Sequence, residues 1–244
     1  ARSGIMSILD LEDSAQDPFD IVVTRELKQE ARDGLLRISE KRDWPESARI
    51  YVRINATNTD FFEEDVETVV AASQNQMPIT GVFLPKVETY EQVESLKSKL
   101  SAANRLLEIV PMIETVSGMR NVTEVLEQDR AAHICPRVHY GHFDYCYDAD
   151  MWPFPDPCHH KFWNIIIPLL EVLALHNRTY IHTPFPFPEN DQLFWSSCAH
   201  VKNIIPSLKV WACTLNAELS FSTPPETPTP LVCSDPDFSR DALM

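Results

Sequence analysis

Two carboxylates fall where apolar runs end. Glu114 closes Leu107-Glu-Ile-Val-Pro-Met-Ile-Glu114, and Asp144 closes Val138-His-Tyr-Gly-His-Phe-Asp144. A pair of hard oxygen donors at the ends of neighbouring strands suits a divalent cation that keeps positions open for water and substrate oxygens. Taken singly, each acid is equally a solvated turn residue. A further cluster, Asp10, Glu12 and Asp13, sits in Leu9-Asp-Leu-Glu-Asp-Ser14. Three acids so close repel one another unless a cation or base is near. They read either as metal support or general acid/base groups, or as an acidic turn favoured by a helix dipole.

Two cations stand in comparable places. Arg53 lies inside the β-branched run Arg49-Ile-Tyr-Val-Arg-Ile-Asn55. An arginine in a parallel strand is costly unless paired. It is either a structural partner of the Asp10–Asp13 acids or a fork that grips a substrate carboxylate or carbonyl. Lys86, after Leu84-Pro85, suits charge stabilisation beside a metal better than Schiff-base chemistry. His182 ends Tyr180-Ile-His182 and is either a strand-end hydrogen-bonding group or a substrate contact. His142, between Gly141 and Asp144, is either a base or a histidine packed beside the metal strand.

The elements that must position these groups alternate. Strand-like runs cover Ile5–Asp10, Arg49–Asn55, Ile79–Pro85, Leu107–Glu114, Ala132–Tyr145, Thr179–Thr183 and Leu208–Leu215. Helical patterns cover residues 21–41, Phe61–Ser73, Tyr90–Ala103, Met119–Gln128, Phe162–Leu175 and Asp191–Ile204. Alternation at this spacing predicts parallel strands with right-handed crossovers, and apolar strands predict a sheet covered on both faces. In a β/α barrel the C-terminal strand ends carry the chemistry. A closed barrel needs eight strands, so the seven visible here imply a first strand upstream of Ala1. The open doubly wound alternative would want a Gly-rich first turn, and none is visible.

Residues 1–221 are expected to form the barrel. Residues 222–244, which begin with the Thr223–Pro230 connector, are expected to form a Pro-rich extension docking on a neighbouring subunit. The loop Met151-Trp-Pro-Phe-Pro-Asp-Pro157 follows Asp144 and reads either as a pocket wall or as a surface loop packing its own aromatics. The net charge of −15 opposes nucleic acid and anionic membrane surfaces. No apolar run reaches the length of a membrane span. Six scattered cysteines in a large chain point to a reducing, cytoplasmic setting. Cys158-His-His160 lacks a second ligand pair for zinc.

Five motifs, in order, resemble the citrate lyase β-subunit-like family of the HpcH/HpaI-type metal-dependent aldolases. They are Asp10-Leu-Glu-Asp-Ser14, Val52-Arg-Ile-Asn55, Leu84-Pro-Lys-Val-Glu88, Ile113-Glu-Thr115 with Gly118, and Gly141-x-x-Asp144. The resemblance implies a (β/α)8 TIM barrel and a homo-oligomer, trimeric or hexameric. It implies Glu114 and Asp144 as ligands of magnesium, with manganese an alternative. Arg53 matches the substrate-binding, enolate-stabilising arginine, and Glu12 and Asp13 match acids near the acid/base step. Lys86, Asn55 and His182 complete the expected substrate-binding set. The implied activity is a carbon–carbon lyase working through a metal-stabilised enolate of a small anionic substrate: a 2-oxo acid, hydroxy acid or acyl thioester, including a coenzyme A ester. The alternatives are a class II aldolase using free 2-oxo acid plus aldehyde, and a non-catalytic barrel used as a binding module. Beyond residue 145 the match thins, and the loop 146–158 departs from the pattern.

Overall fold

In the computed structural model, the described residues are 6–213, except 42, 76, 186 and 188, together with residue 231. The extension expected over 222–244 therefore lies outside the described residues save for that single position. Two compact units divide the chain, Ala1–Val138 and His139–Met244.

The first unit holds β1 (Ser7–Asp10), α1 (Ile21–Ser39), β2 (Ile50–Arg53), α2 (Phe62–Gln74), β3 (Ile79–Leu84), α3 (Tyr90–Ala102), β4 (Glu108–Ile113) and α4 (Val116–Gln128). β5 (Arg137–Tyr140) runs across the division. β1 to β4 pair in chain order, each parallel to the next. The register sets Asp10 beside Arg53, Arg53 beside Phe83, and Phe83 beside Val110.

Side chains alternate across a strand, so this register sorts them into two faces. Leu9, Ile50, Val52, Val82, Leu84 and Ile109 pack into the main apolar core with residues of all four helices, among them Leu35, Val66, Leu96 and Val125. The opposite face carries Asp10, Tyr51, Arg53, Gly81, Phe83 and Glu108 by the same alternation. It is polar in layers. Tyr51 donates to Glu108 Oε2 at 3.3 Å, and Arg137 bonds both Tyr51 and Glu108. Gly81 is required there: a Cβ would lie 2.6 Å from the Tyr51 ring and 2.7 Å from the Glu108 carbonyl.

Helix starts fix the loops at the C-terminal strand ends. Asp20 caps α1 by accepting from the Val22 and Val23 amides. Thr89 and Gln92 form a capping box at α3. Thr115 Oγ1 accepts the Gly118 amide at 2.9 Å at α4. That helix starts three residues earlier than the pattern predicted, because Thr115 supplies the cap.

The second unit holds α5 (His142–Asp148), α6 (His160–Leu175), β6 (Thr179–Pro184), α7 (Asp191–Ile204) and β7 (Lys209–Cys213). β6 pairs parallel with β7, and Thr179 lies opposite Lys209. Here the sequence reading needs correction. The strand expected over Ala132–Tyr145 stops at Tyr140, and Gly141 caps a short helix. His142 and Cys146 are the buried residues of that helix, a spacing of one turn that the apolar run had disguised as strand. Asp144 therefore stands in the first turn of α5 rather than at the tip of a strand.

The fold is thus α/β, with seven parallel strands among the described residues and the strand–helix succession of a partial β/α barrel. Among the described residues, no helix is long and apolar enough to cross a membrane.

Gly118 gives a direct test of this packing. A Cβ there would meet the Val87 carbonyl at 2.4 Å, while at Gly34 its nearest neighbour would be Arg37 Nη2 at 3.7 Å. Gly118→Ala should destabilise the fold by about 1–3 kcal/mol, and Gly34→Ala, in a helix interior, should stabilise it by roughly 0.5–1 kcal/mol. Urea unfolding of both variants reads the opposite signs. Equal shifts would contradict the tight α4 approach.

Candidate active site

Parallel pairing brings the C-terminal ends of β1 to β4 to one edge of the first unit. Asp10 ends β1, Arg53 ends β2, Lys86 follows β3 by two residues, and Glu114 directly follows β4. Arg53 binds Asp10 through two parallel bonds, Nε to Oδ1 at 2.7 Å and Nη2 to Oδ2 at 2.6 Å. Its Nη1 lies 2.9 Å from Glu12 Oε2 and 3.2 Å from Asp13 Oδ2. Lys86 Nζ reaches the other Glu12 oxygen at 3.1 Å. Three carboxylates and two cations thus form one network, which answers the repulsion that the sequence alone left open.

The network tunes its members in different directions. Burial alone would raise the Asp10 carboxyl, but the Arg53 guanidinium and the Glu12 and Ser14 amides outweigh it and hold Asp10 below its usual range. Burial dominates at Glu12, helped by the charge of Asp13, and holds it above the ordinary carboxylate range despite Arg53 and Lys86. Arg53 itself is pushed upward: burial opposes its charge, and Asp10, Glu12 and Asp13 more than compensate. One acid is therefore locked ionised beside a second that takes up a proton more readily, the division of labour that acid/base chemistry uses.

Glu114 is 1% exposed, and its Oε1 accepts the Lys86 backbone N–H at 2.9 Å. Lys86 has φ of 53°, the left-handed region that a non-glycine residue adopts at some cost. Both of its backbone groups are held there, the N–H by Glu114 and the carbonyl by Gln92 Nε2 at 3.2 Å.

Behind this edge lies a supporting layer that the sequence reading missed. Lys28 Nζ, on the inner face of α1, donates to the carbonyls of Leu11, at 2.9 Å, and Glu12. Asp65, fully buried on α2, accepts Arg32 Nε at 2.8 Å, the Asn55 amide at 2.7 Å and Asn55 Nδ2 at 2.6 Å. Asn55 Nδ2 also donates to the Leu11 carbonyl at 2.9 Å. The Asn55 side-chain amide thus holds the β1–β2 edge together, with both of its donors committed. The signal was present: Thr24, Lys28, Arg32, Leu35 and Ser39 form the buried stripe of α1, and two bases on such a stripe call for buried partners.

The second unit holds the other two sequence-selected residues. Asp144 is half-buried on α5. His182 is 3% exposed, with Nδ1 at 3.0 Å from the Tyr180 hydroxyl and Nε2 at 2.8 Å from Ser197 Oγ. Burial, then the neighbouring His139 and His142, lowers it to about 3, so it is neutral at pH 7. Its hydrogen bonds fit the strand-end reading set out from the sequence.

Among the described residues, no group of three or more His, Cys, Asp or Glu side chains forms a metal-holding cluster. In the acid-rich network, Arg53 and Lys86 occupy the place that a cation would fill. Magnesium chemistry needs fewer protein ligands than that, since the ion keeps several waters and takes one or two carboxylates. A buried carboxylate such as Glu114 is a donor of the right hardness.

Residues 6–152 match the HpcH/HpaI aldolase/citrate lyase family. The chain belongs to this family. A malyl-CoA/beta-methylmalyl-CoA/citramalyl-CoA lyase of Chloroflexus aurantiacus is 28% identical over 123 residues, which is 48% of this chain and 33% of the relative. The chain spans about a third of the length of the curated relatives it matches. Among solved structures, a citrate lyase beta subunit from M. tuberculosis complexed with oxaloacetate and magnesium superposes with a TM-score of 0.61 at 21% identity, covering 85% of this chain and 80% of the other. The protein CitE from Mycobacterium tuberculosis in complex with magnesium, acetoacetate and coenzyme A gives a TM-score of 0.59 at 20% identity, covering 85% and 67%. These likenesses show the shared fold.

The supporting layer generates its own prediction. Asp65→Ala would remove the acceptor of Arg32 Nε, of the Asn55 backbone N–H and of one Asn55 Nδ2 hydrogen, while Glu64 and the Phe61 carbonyl keep the rest of the Arg32 guanidinium paired. Breaking such a pair from one side costs about 3–5 kcal/mol. Thermal and urea unfolding should show that loss, with a partial recovery in the double variant Asp65→Ala/Arg32→Met. A loss no greater than ~0.5 kcal/mol, the usual effect of a surface substitution, would contradict the role assigned to Asp65.

Proposed function

We propose that this chain is a magnesium-dependent carbon–carbon lyase that cleaves or forms a bond through an enolate of a 2-oxo acid or acyl thioester. The observation that carries the reading is the gathering of Arg53, Asp10, Glu12, Asp13, Lys86 and Glu114 at one strand edge. Family membership supports the reaction class, and the relative named for malyl-CoA chemistry supports a thioester substrate. The closed (β/α)8 barrel and a homo-oligomer belong to the same reading.

In this reading Glu114 and Asp144 would hold the ion, and magnesium would supply Lewis acidity toward the substrate oxygens. The chain's own residues do the rest. Arg53 is fixed by its paired hydrogen bonds to Asp10, with Nη1 turned to Glu12 and Asp13, so its charge and the second N–H of Nη2 would meet negative charge on the substrate without reorganisation. Lys86, held in its strained backbone by Glu114 and Gln92, adds a second cation beside the same charge. Glu12, raised by burial above its ordinary range and flanked by both cations, would carry the proton that the carbon–carbon step moves. Asn55 steadies the β1–β2 edge through its hydrogen bonds to Leu11 and Asp65, and His182 is held within the second unit by Tyr180 and Ser197; both stay in the proposed substrate-binding set.

Turnover should be assayed on a panel of hydroxy acids and acyl-CoA esters with magnesium. The reading expects cleavage of at least one, stopped by EDTA. Glu114→Gln and Asp144→Asn should abolish it, and Arg53→Lys should lower kcat by about 100- to 1,000-fold, the loss of one preorganised charge-stabilising group. Full activity in Glu114→Gln and Asp144→Asn would sink the assignment.

A further inference from the structure

The second unit contains a pocket of about 200 Å³ walled by α5, the loop after it, α6 and the end of β6. Phe143, Phe154 and Phe162 supply its aromatic walls, with His142, Asp156 and Thr183 as the polar groups. The match to the family ends at residue 152, within the loop that follows α5, and Phe143 immediately precedes Asp144.

The geometry points to an uncharged, ring-sized apolar molecule, aryl or cycloalkyl, as the ligand of this pocket. Volume is the first argument. A dry cavity of about 150 Å³ lined by Leu, Ile and Phe is enough to take benzene. The second argument is that the pocket's polar groups are already spent. His142 places Nδ1 at 3.1 Å from the Tyr140 hydroxyl and Nε2 against the Pro155 carbonyl. Its backbone N–H donates to Thr183 Oγ1 at 3.3 Å. Its ring is set edge-on to Phe162 with centroids 4.8 Å apart.

Charge is the third argument. Among the described residues Asp156 is the one acidic or basic residue of the lining besides His142, and its Oδ1 accepts the Cys158 amide at 2.7 Å. An anionic group would face that carboxylate without a compensating cation in the lining. A cationic group would find a half-exposed carboxylate already engaged and solvated, which adds little over water. Phe143 packs edge-on with Phe154 at 5.6 Å, and Phe154 with Trp152 at 4.7 Å, so the loop is held as a wall by its own rings.

The test is a ¹⁹F NMR titration of the full chain with 4-fluorobenzyl alcohol, 4-fluorobenzoate and 4-fluorobenzylamine, each with and without magnesium. The alcohol should give a saturable shift, bind at least tenfold more tightly than the benzoate, and bind more tightly than the ammonium form of the amine. Phe154→Ala and Phe143→Ala, both at partly exposed wall positions, should each weaken it about three- to tenfold, the range of one aromatic contact. No saturable binding of the alcohol, tightest binding of either charged probe, or unchanged affinity in both variants would overturn the inference. The two readings separate cleanly. Magnesium binding and turnover without alcohol binding removes the pocket's role alone. Alcohol binding in a protein that neither binds magnesium nor turns over any substrate removes the lyase reading and leaves an apolar-ligand site.

Discussion

Arg53 reaches from the end of β2 to Asp10 at the end of β1 through two parallel N–H···O bonds, and the surrounding edge is arranged around that fork. The pair is enforced by register: the parallel ladder sets these two residues opposite each other. A guanidinium in this position must be paired, because its desolvation is otherwise prohibitive. Asp10 meets that need and leaves Nη1 to Glu12 and Asp13. The result is a cation whose orientation is settled before any substrate arrives, which is the condition for electrostatic stabilisation without reorganisation.

The edge in turn depends on groups with no direct part in chemistry. Lys28 holds the backbone carbonyls that precede and include Glu12. Asp65 ties Arg32 on α1 to Asn55 beyond β2, so two helices and a strand end share one buried carboxylate. Glu114 and Gln92 together keep Lys86 in its left-handed conformation. Each is a polar network whose donors find acceptors, and such networks fix position more than they add stability.

Much of this was legible in the chain. Glu114, Arg53 and the Asp10–Asp13 acids stood out because charged residues interrupt strand-like apolar runs, and parallel pairing carried them to one edge. The ion pair between Arg53 and those acids was one of two readings open from sequence, and the structure forms it. Asp144 was placed on a strand end because Gly141-His-Phe-Asp144 continues an apolar run; one-turn burial of His142 and Cys146 makes it helical instead. Asp65 was hidden among the acids Glu63, Glu64 and Asp65 of the first turn of α2, where composition cannot tell a dipole-favoured surface acid from a buried one. The pairing of Lys28 with backbone carbonyls has no sequence signature at all, since its partners carry no side-chain identity.

The central claim is that the Arg53 edge and the pair Glu114 and Asp144 serve one metal-assisted enolate chemistry. A crystal structure grown with manganese and pyruvate tests it most directly, because the manganese anomalous signal locates the ion independently of the refinement. The account predicts one manganese bound by the carboxylates of Glu114 and Asp144, with the pyruvate oxygens completing its shell and the pyruvate carboxylate or oxo group hydrogen-bonded to Arg53. Manganese bound elsewhere, or pyruvate bound without contact to Arg53, would contradict it.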